Sequence, residues 1–250
     1  MVNAKYDAPL TLILFFILCP VLICMAEPQT YGLPKFDPPL PFDFSIDEKK
    51  LWKGELQTFE LRLKGEGDKK KRHIAGIILI DASAEEVWGI LNDWESMSEF
   101  VPDLDYYRII SEKEPYDQDG SHQIFVEGKL GIPLFNFVYN LGVVSNRNRL
   151  IQKWRLMTPE EIEIIRLVGA DIKESTDGIE EIKGYAYVKA VEDGQKSIYA
   201  YSTIIEFSMP LPEFVENYIC RNALSGFMEG VKKRAESHGL YIKHSFSLFP

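Results

Sequence analysis

The sequence predicts an α+β fold in which a curved antiparallel β-sheet wraps around one long C-terminal α-helix. Two observations support this class. Eight strand-like stretches are separated mostly by short turn sequences, as expected of strands that pair with their neighbours in antiparallel fashion. The last element, 211–238, contains no proline after Pro212. As a helix it would be about 42 Å long, enough to cross a small domain.

The composition is that of a packed globular protein. Of the 250 residues, 46% are hydrophobic and 26% are charged, which excludes a disordered or fibrous chain. Asp and Glu together number 38 against 28 Lys and Arg, so that the formal net charge is −10. Because such a surface repels phosphate groups, we expect no nucleic-acid partner and little attraction to anionic membranes.

The first 26 residues have the layout of a secretory signal peptide. An apolar run, 10–25, is broken by Pro20, and Cys24-Met25-Ala26 supplies the small residues of a cleavage site before Glu27. The alternative is a retained membrane anchor, but this run is shorter than the ~20 residues needed to span a bilayer. We therefore expect cleavage after Ala26 and export to the periplasm or the extracellular space.

A proline-rich arm, 27–50, precedes a folded domain at 51–240 and a short tail at 241–250. The prolines and scattered aromatic residues of the arm predict an extended chain that lies against the domain. Alternation of apolar and polar residues in 52–63 predicts the first strand, and 73–80 predicts the second. The polar stretch between them, 65–72, is rich in Lys, and we interpret it as the solvated tip of a hairpin.

The next elements are two helices and a meander of strands. Ser83-Ala84-Glu85-Glu86 matches a capping box and predicts a helix over 83–92, followed by a short helical turn in 95–100. Strands are predicted at 104–111, 122–130, 134–145, 149–157, 181–191 and 196–208. A short helix over 158–168, with Pro159 at its first position, separates the fourth of these strands from the fifth.

The apolar residues of the C-terminal helix change face along its length. At about 100° per residue, one side carries Leu211, Phe214, Val215, Tyr218 and Ile219, and nearly the opposite side carries Ala223, Leu224, Phe227, Met228, Val231 and Ala235. Either the helix bends at Ser225-Gly226, or its two halves pack against different surroundings. We expect the first half to cover a cavity and the second half to pack on solid core.

The order of these elements is that of the helix-grip fold, and two stretches agree with it. Residues 77–110, IILIDASAEEVWGILNDWESMSEFVPDLDYYRII, resemble the START/SRPBCC superfamily, and its polyketide cyclase/dehydrase and coenzyme Q-binding START-like branch in particular. Positions that match the recurring pattern are Val87, Trp88, Leu91, Asp93, Trp94, Phe100 and Pro102, whereas Ser83 replaces the usual proline. The stretch MPLPEFVENYICRNALSGFMEGVKKRAE resembles the superfamily's long C-terminal helix.

This resemblance covers roughly residues 51–238, and the signal peptide, the arm and an extra first strand depart from it. It implies a helix-grip fold. The resemblance specifies the function less closely than the fold, because the superfamily includes lipid carriers as well as cyclases.

The sequence contains no persuasive catalytic or metal-binding signature. The histidines (His73, His122, His238 and His244) lack the spacing of metal ligands, and 117–120 departs from a calcium loop because Pro115 occupies the first ligand position. No glycine-rich phosphate loop or Gly-x-Ser-x-Gly motif is present. We interpret Asp103 and Asp105 as solvated, and Cys220 as a small buried residue. We therefore expect no catalytic residue, no metal and no cofactor.

The inward faces of two strands predict a pocket. In the strand 196–208, Tyr199 and Tyr201 lie on one face and Glu206 lies on the other. The face with the tyrosines should therefore point inward. In 149–157, Gln152 and Trp154 face the same way. Buried hydroxyls and amides need hydrogen-bond partners, which a ligand or water in a cavity would supply. We therefore favour a pocket over solid core.

We predict a mostly apolar cavity with a hydrophobic small molecule or lipid as its ligand. Its expected lining residues are Trp94, Phe100, Trp154, Tyr199, Tyr201, Thr203, Ile205, Phe214 and Tyr218. The favoured function is non-catalytic binding or transport of a lipid, an isoprenoid quinone or a polyketide-like aromatic. The alternative is a cyclase- or dehydratase-like enzyme, which would need an acid or base with a shifted pKa in the cavity. A lipid carrier would also make transient membrane contact, and the sequence carries no signal for the oligomeric state.

Overall fold

The computed structural model describes residues 45–64, 70–113, 117–132, 135–175, 179–207 and 212–243. The predicted signal peptide, its cleavage site, the arm up to residue 44 and the tail from His244 onward lie outside these residues. Within the described ranges, no helix is long and apolar enough to cross a membrane.

In the described residues, eight strands form one antiparallel sheet in the order β1-β2-β8-β7-β6-β5-β4-β3. They are β1 (Gln57–Lys64), β2 (Lys70–Ile80), β3 (Leu104–Lys113), β4 (Ser121–Ile132), β5 (Phe135–Asn146), β6 (Ile151–Leu156), β7 (Ile179–Val191) and β8 (Lys196–Phe207). The last strand pairs with β7 on one side and with β2 on the other, so it joins the first hairpin to the long meander. The predicted α+β class, with a C-terminal helix packed on an antiparallel sheet, is confirmed.

The beginning of the domain differs from its prediction. Residues Glu48–Trp52 form a short helix, α1, whose start is capped by the carboxylate of Asp47. This helix includes 48–50, which the sequence placed in the arm, and it delays the start of β1. Lys71 and Arg72 belong to β2 rather than to a turn, and Arg72 is only 4% exposed. Interpreting the whole basic run as a solvated tip is therefore wrong, because this guanidinium is buried against carboxylates.

Helices α2 (Ala84–Asn92), α3 (Met97–Phe100) and α4 (Pro159–Leu167) flank the sheet. The Ser83 hydroxyl accepts a hydrogen bond from the Glu86 amide at 3.2 Å, as the capping box predicts. Apolar residues of α2 and α3 join the main core on the inner face of the sheet. Helix α4 covers Phe125, which alternates with the inner-face residues of β4 and therefore lies on the outer face.

The C-terminal helix, α5, consists of three consecutive segments: α-helical Glu213–Asn217, π-helical Tyr218–Ala223 and α-helical Leu224–Glu236. A π turn needs one residue more than an α turn. It therefore delays the rotation of the following side chains by about 100°. This delay explains why the apolar pattern changes face.

Both halves of α5 consequently face the same core. Val215 and Ile219 from the first half belong to the same apolar cluster as Met228 and Val231 from the second half. The sequence predicted either a bend at Ser225-Gly226 or two different surroundings, whereas the structure has a π-helical segment at Tyr218–Ala223 and places both halves of the helix against the same core.

Candidate functional site

A cavity of about 140 Å³ lies between the inner face of the sheet and the middle of α5. Side chains from β2 to β8 form its wall, Leu91 of α2 and Met97 of α3 also border it, and Ile219 to Phe227 form its roof. A cavity of similar size, about 150 Å³, can hold a benzene molecule when its walls are apolar. The cavity can therefore take a ring-sized group. Because Pro102 at its border is exposed, a longer ligand could extend outward there.

The predicted lining residues divide into two groups. The cavity wall contains Trp94, Trp154, Tyr199, Tyr201, Thr203 and Ile205. The other three lie elsewhere. Phe100 is fully buried in the core, Phe214 is 59% exposed, and the hydroxyl of Tyr218 donates a hydrogen bond to Asp103 at 2.6 Å.

The positions of Phe214 and Tyr218 follow from a buried charge. Periodicity counts Glu216 as an outward-facing polar residue, yet this residue is 0% exposed. Its Oε2 lies 2.9 Å from Nη2 of Arg72, which compensates the buried carboxylate. The buried side of the first segment is therefore centred on Val215, Glu216 and Ile219, which turns Phe214 toward solvent. The cavity lies under the middle of α5 rather than under its first half.

Three neighbouring aromatic rings line the cavity, two in its wall and one in its roof. The centroid of the Tyr201 ring is 4.9 Å from that of Trp154 and 5.6 Å from that of Phe227. Gly184 makes room for this arrangement, because a Cβ atom at that position would lie 2.7 Å from Cζ2 of Trp154. Thr203, in the same wall, donates a hydrogen bond to the carbonyl of Lys183 at 3.1 Å.

Sequence reasoning missed two tyrosines of the cavity. The hydroxyls of Tyr107 and Tyr139 are 2.7 Å apart, and the Tyr107 ring meets Trp94 edge to face at 5.3 Å. Tyr139 shares a face with Phe137 and Leu141, so alternation along β5 could have found it. The same reasoning could not find Tyr107, because a register shift between Leu104 and Tyr106 breaks the alternation of inward and outward residues at the start of β3.

Two polar groups of the wall are buried without a hydrogen-bond partner in the described part of the chain. They are Nε1 of Trp94 and the hydroxyl of Tyr199. Trp94 is 6% exposed and Tyr199 is 0% exposed. Native proteins rarely leave such groups unpaired, so each one needs an explanation.

The cavity is an unfavourable environment for an ionised side chain. Burial raises the pKa of Tyr107, Tyr139, Tyr199 and Tyr201, and neighbouring tyrosines raise those of Tyr107 and Tyr199 further. These hydroxyls therefore stay protonated at neutral pH. Among the described residues that border the cavity, there is no Asp, Glu, Lys, Arg or His. The described residues also contain no cluster of side chains suited to hold a metal ion.

Comparisons with known proteins identify the fold. No family model and no curated protein matches the chain. A START superfamily protein from Mycobacterium smegmatis superimposes with a TM-score of 0.50 and 13% identity, over 66% of this chain and 97% of its own. The Zhui aromatase/cyclase from Streptomyces sp. R1128 gives a TM-score of 0.44 and 11% identity, over 68% of this chain and 92% of its own.

Norcoclaurine synthase from Thalictrum flavum, in complex with dopamine and hydroxybenzaldehyde, gives a TM-score of 0.45 and 14% identity, over 71% of this chain and 96% of its own. The Mycobacterium smegmatis structure, at 13% identity, shows the fold alone, which is the predicted helix-grip fold. It does not single out a coenzyme Q-binding branch.

Proposed function

We propose that this protein is an exported, non-catalytic binding or transport protein that holds an uncharged hydrophobic molecule in the cavity under α5. The observation that carries this proposal is a ring-sized cavity whose described lining is apolar and aromatic and carries no charged side chain. Concave, mostly apolar sites with a few polar groups are typical of small-molecule binding. A lipid, an isoprenoid quinone or a polyketide-like aromatic would match this chemistry.

A cyclase- or dehydratase-like enzyme is the second candidate. The tyrosine hydroxyls of the cavity favour it, because they could donate protons to a substrate. Such a reaction also needs a group that removes a proton. The raised pKa of Tyr199 and Tyr201 keeps both side chains protonated at neutral pH, so neither can act as that base. We therefore place binding before catalysis.

Export rests on the sequence of 1–26. We expect the protein to leave the cytoplasm and to begin at Glu27 in its mature form, because signal peptidases cut after small residues. N-terminal sequencing of protein from its native host tests this. A native chain that still begins at Met1 would contradict cleavage.

Native mass spectrometry tests the binding function directly. Protein purified without detergent should carry an apolar molecule of defined mass, which is released when the protein is denatured. The released molecule can then be identified by its fragmentation. A native mass equal to that of the polypeptide, in protein that also takes up no added apolar compound, would contradict the proposal.

Filling the cavity tests its location. Tyr201→Trp adds volume beside Trp154 and Phe227, so it should weaken the uptake of an apolar fluorescent probe at least tenfold while the Tm changes by less than about 2 °C, which corresponds to less than about 1 kcal/mol. In a solid core, the same change would cost about 1–3 kcal/mol. Tyr187→Trp is the matched control, because Tyr187 lies on the outer face between the inner-face residues Ala186 and Val188. A destabilised Tyr201→Trp variant that still binds the probe would contradict this location.

A further inference from the structure

We infer that the loop 101–104, which joins α3 to β3, closes the mouth of the cavity, and that Tyr218 and Lys243 hold it closed, so that ligand exchange requires these contacts to break. We call 101–104 the mouth loop. Its role rests on the proposed binding function and adds a control to it. The two side chains would set how fast a ligand enters and leaves, rather than how tightly it is bound.

The mouth loop lies between the cavity and the solvent. Val101, Pro102 and Leu104 all border the cavity. Val101 and Leu104 are buried, whereas Pro102 is exposed. A residue that is exposed and also borders the cavity marks a thin part of its enclosure. Displacement of this loop would therefore open the cavity to solvent, while the sheet could stay in place.

Two glycines of α5 let the chain around the mouth loop approach the helix closely. A Cβ atom at Gly226 would lie 3.3 Å from Cγ of Pro102. One at Gly230 would lie 2.7 Å from the carbonyl oxygen of Phe100, the residue before the loop. Because α5 also carries the roof of the cavity, the loop and the roof meet along this line. The mouth would open where they separate.

Tyr218 holds the middle of the mouth loop. Its hydroxyl donates a hydrogen bond to Oδ2 of Asp103 at 2.6 Å. Burial and this hydrogen bond raise the pKa of Tyr218 to about 12, so the hydroxyl keeps its proton at neutral pH. Asp103 has a φ of 59°, in the left-handed region, which residues other than glycine keep where their surroundings fix them. Loss of the tyrosine hydroxyl should therefore favour release of the loop.

Lys243 holds both ends of the mouth loop. Its Nζ donates hydrogen bonds to the carbonyl oxygens of Val101 and Leu104, each at 2.9 Å. These are the first and the last residues of the loop. The backbone amide of Lys243 also donates to the carbonyl of Glu99 at 2.8 Å. One ammonium group thus ties the two ends of the loop to the chain that follows α5.

The turn after α5 fixes the position of Lys243 independently of the mouth loop. Gly239, with a φ of 80°, lets the chain leave the helix. The amide of Tyr241 then donates to the hydroxyl of Ser237 at 2.7 Å, and its carbonyl accepts from Nη1 of Arg234 at 2.8 Å. Removal of the ammonium group should therefore free the loop without unfolding the turn.

Exchange kinetics test these contacts. The neutral fluorescent probe N-phenyl-1-naphthylamine is mixed with the full mature chain, and stopped flow gives its association and dissociation rate constants. Lys243→Met and Tyr218→Phe should each raise both rate constants about three- to tenfold, the usual effect of one hydrogen bond, because more molecules are open. The dissociation constant should change less than about twofold, since neither side chain borders the cavity and the probe favours neither state.

Matched controls come from the outer face of the sheet. Tyr187 lies on that face of β7, and Lys189 is exposed on it. Tyr187→Phe and Lys189→Met remove the same groups as the two test variants. Both controls should leave the rate constants unchanged.

A cross-link tests the loop itself. A Cβ atom at Gly226 would lie 3.5 Å from Cβ of Pro102, within the range of about 3.5–4.5 Å found in disulfides. Pro102→Cys combined with Gly226→Cys should therefore tie the mouth loop to α5 when oxidised. We expect the oxidised protein to exchange the probe at least tenfold more slowly than the same protein after reduction. Cys220, the remaining cysteine after Glu27, is buried and should not interfere.

The outcomes separate the mouth loop from the function on which it rests. If the cross-linked protein exchanges the probe equally fast when oxidised and when reduced, the ligand enters elsewhere, and the mouth loop is refuted while binding stands. If Lys243→Met and Tyr218→Phe leave both rate constants unchanged, or raise dissociation alone, their role in closure is refuted. If the probe does not bind and native mass spectrometry finds no apolar ligand, the binding function itself fails.

Discussion

Replacing Arg72 by methionine should lower the free energy of unfolding by about 3–5 kcal/mol, the usual cost of breaking a buried ion pair by removing one of its members. Nη2 of Arg72 lies 2.9 Å from Oε2 of Glu216, and its Nη1 contacts Glu60. The glutamate on α5 is 0% exposed and the arginine on β2 is 4% exposed. Without the guanidinium, the carboxylate of Glu216 would lose the cation 2.9 Å from it, in a site where the side chain is 0% exposed. Urea unfolding followed by circular dichroism measures this change.

Two further variants control this experiment. Arg72→Met combined with Glu216→Leu should recover most of the lost stability, because apolar side chains often replace a buried ion pair without cost. Arg221→Met should change stability by less than about 1 kcal/mol, since Arg221 is 65% exposed on the side chain although it also pairs with Glu60. If the double variant were as unstable as the single one, packing of the arginine stem rather than pairing would be its main contribution.

The same ion pair marks a limit of prediction from this sequence. Periodicity assigns each charged residue to the outside, which is correct for most helices. Glu216 is an exception that only its distant partner on β2 can reveal, because the two residues are far apart in the chain. This misassignment also changed the predicted cavity lining, because it placed Phe214 and Tyr218 on the buried side of α5. The π-helical segment that follows shifts the apolar pattern, so one continuous buried side of the helix reads in the sequence as two separate ones.

Other parts of the fold were predictable because their signals are local. The Ser83 and Thr158 caps place the starts of α2 and α4 correctly. Strict alternation in β8 places Tyr199 and Thr203 on the inner face, and turn residues mark the ends of the strands. Tyr107 was not predicted as a lining residue, because a register shift in β3 interrupts the alternation that would have placed it on the inner face. The cavity volume depends on how far α5 stands from the sheet, which no local pattern contains.

Raising the pH above about 10 should unfold this protein over a narrow range, because four cavity tyrosines resist ionisation in the folded state. Burial raises the pKa of Tyr107, Tyr139, Tyr199 and Tyr201 above that of an exposed phenol. The unfolded chain releases these protons near pH 10. The contribution of these tyrosines to stability is therefore complete below that pH and is lost as the pH rises toward the folded-state pKa values, by about 1.4 kcal/mol per tyrosine for each pH unit.

The four groups together predict a slope of about 5 kcal/mol per pH unit, a large part of the stability of a typical domain. Burial also raises the pKa of Cys220 to about 12, so its thiol adds a loss of the same sign that begins near pH 9. Urea unfolding at successive pH values gives the slope, and the ultraviolet absorbance of phenolate reports how many tyrosines have ionised. Tyr199→Phe should reduce the slope by one proton, or about 1.4 kcal/mol per pH unit. If all tyrosines ionised near pH 10 while the circular dichroism remained that of the folded protein, the cavity would be open to water, and the argument for an uncharged ligand would fail with it.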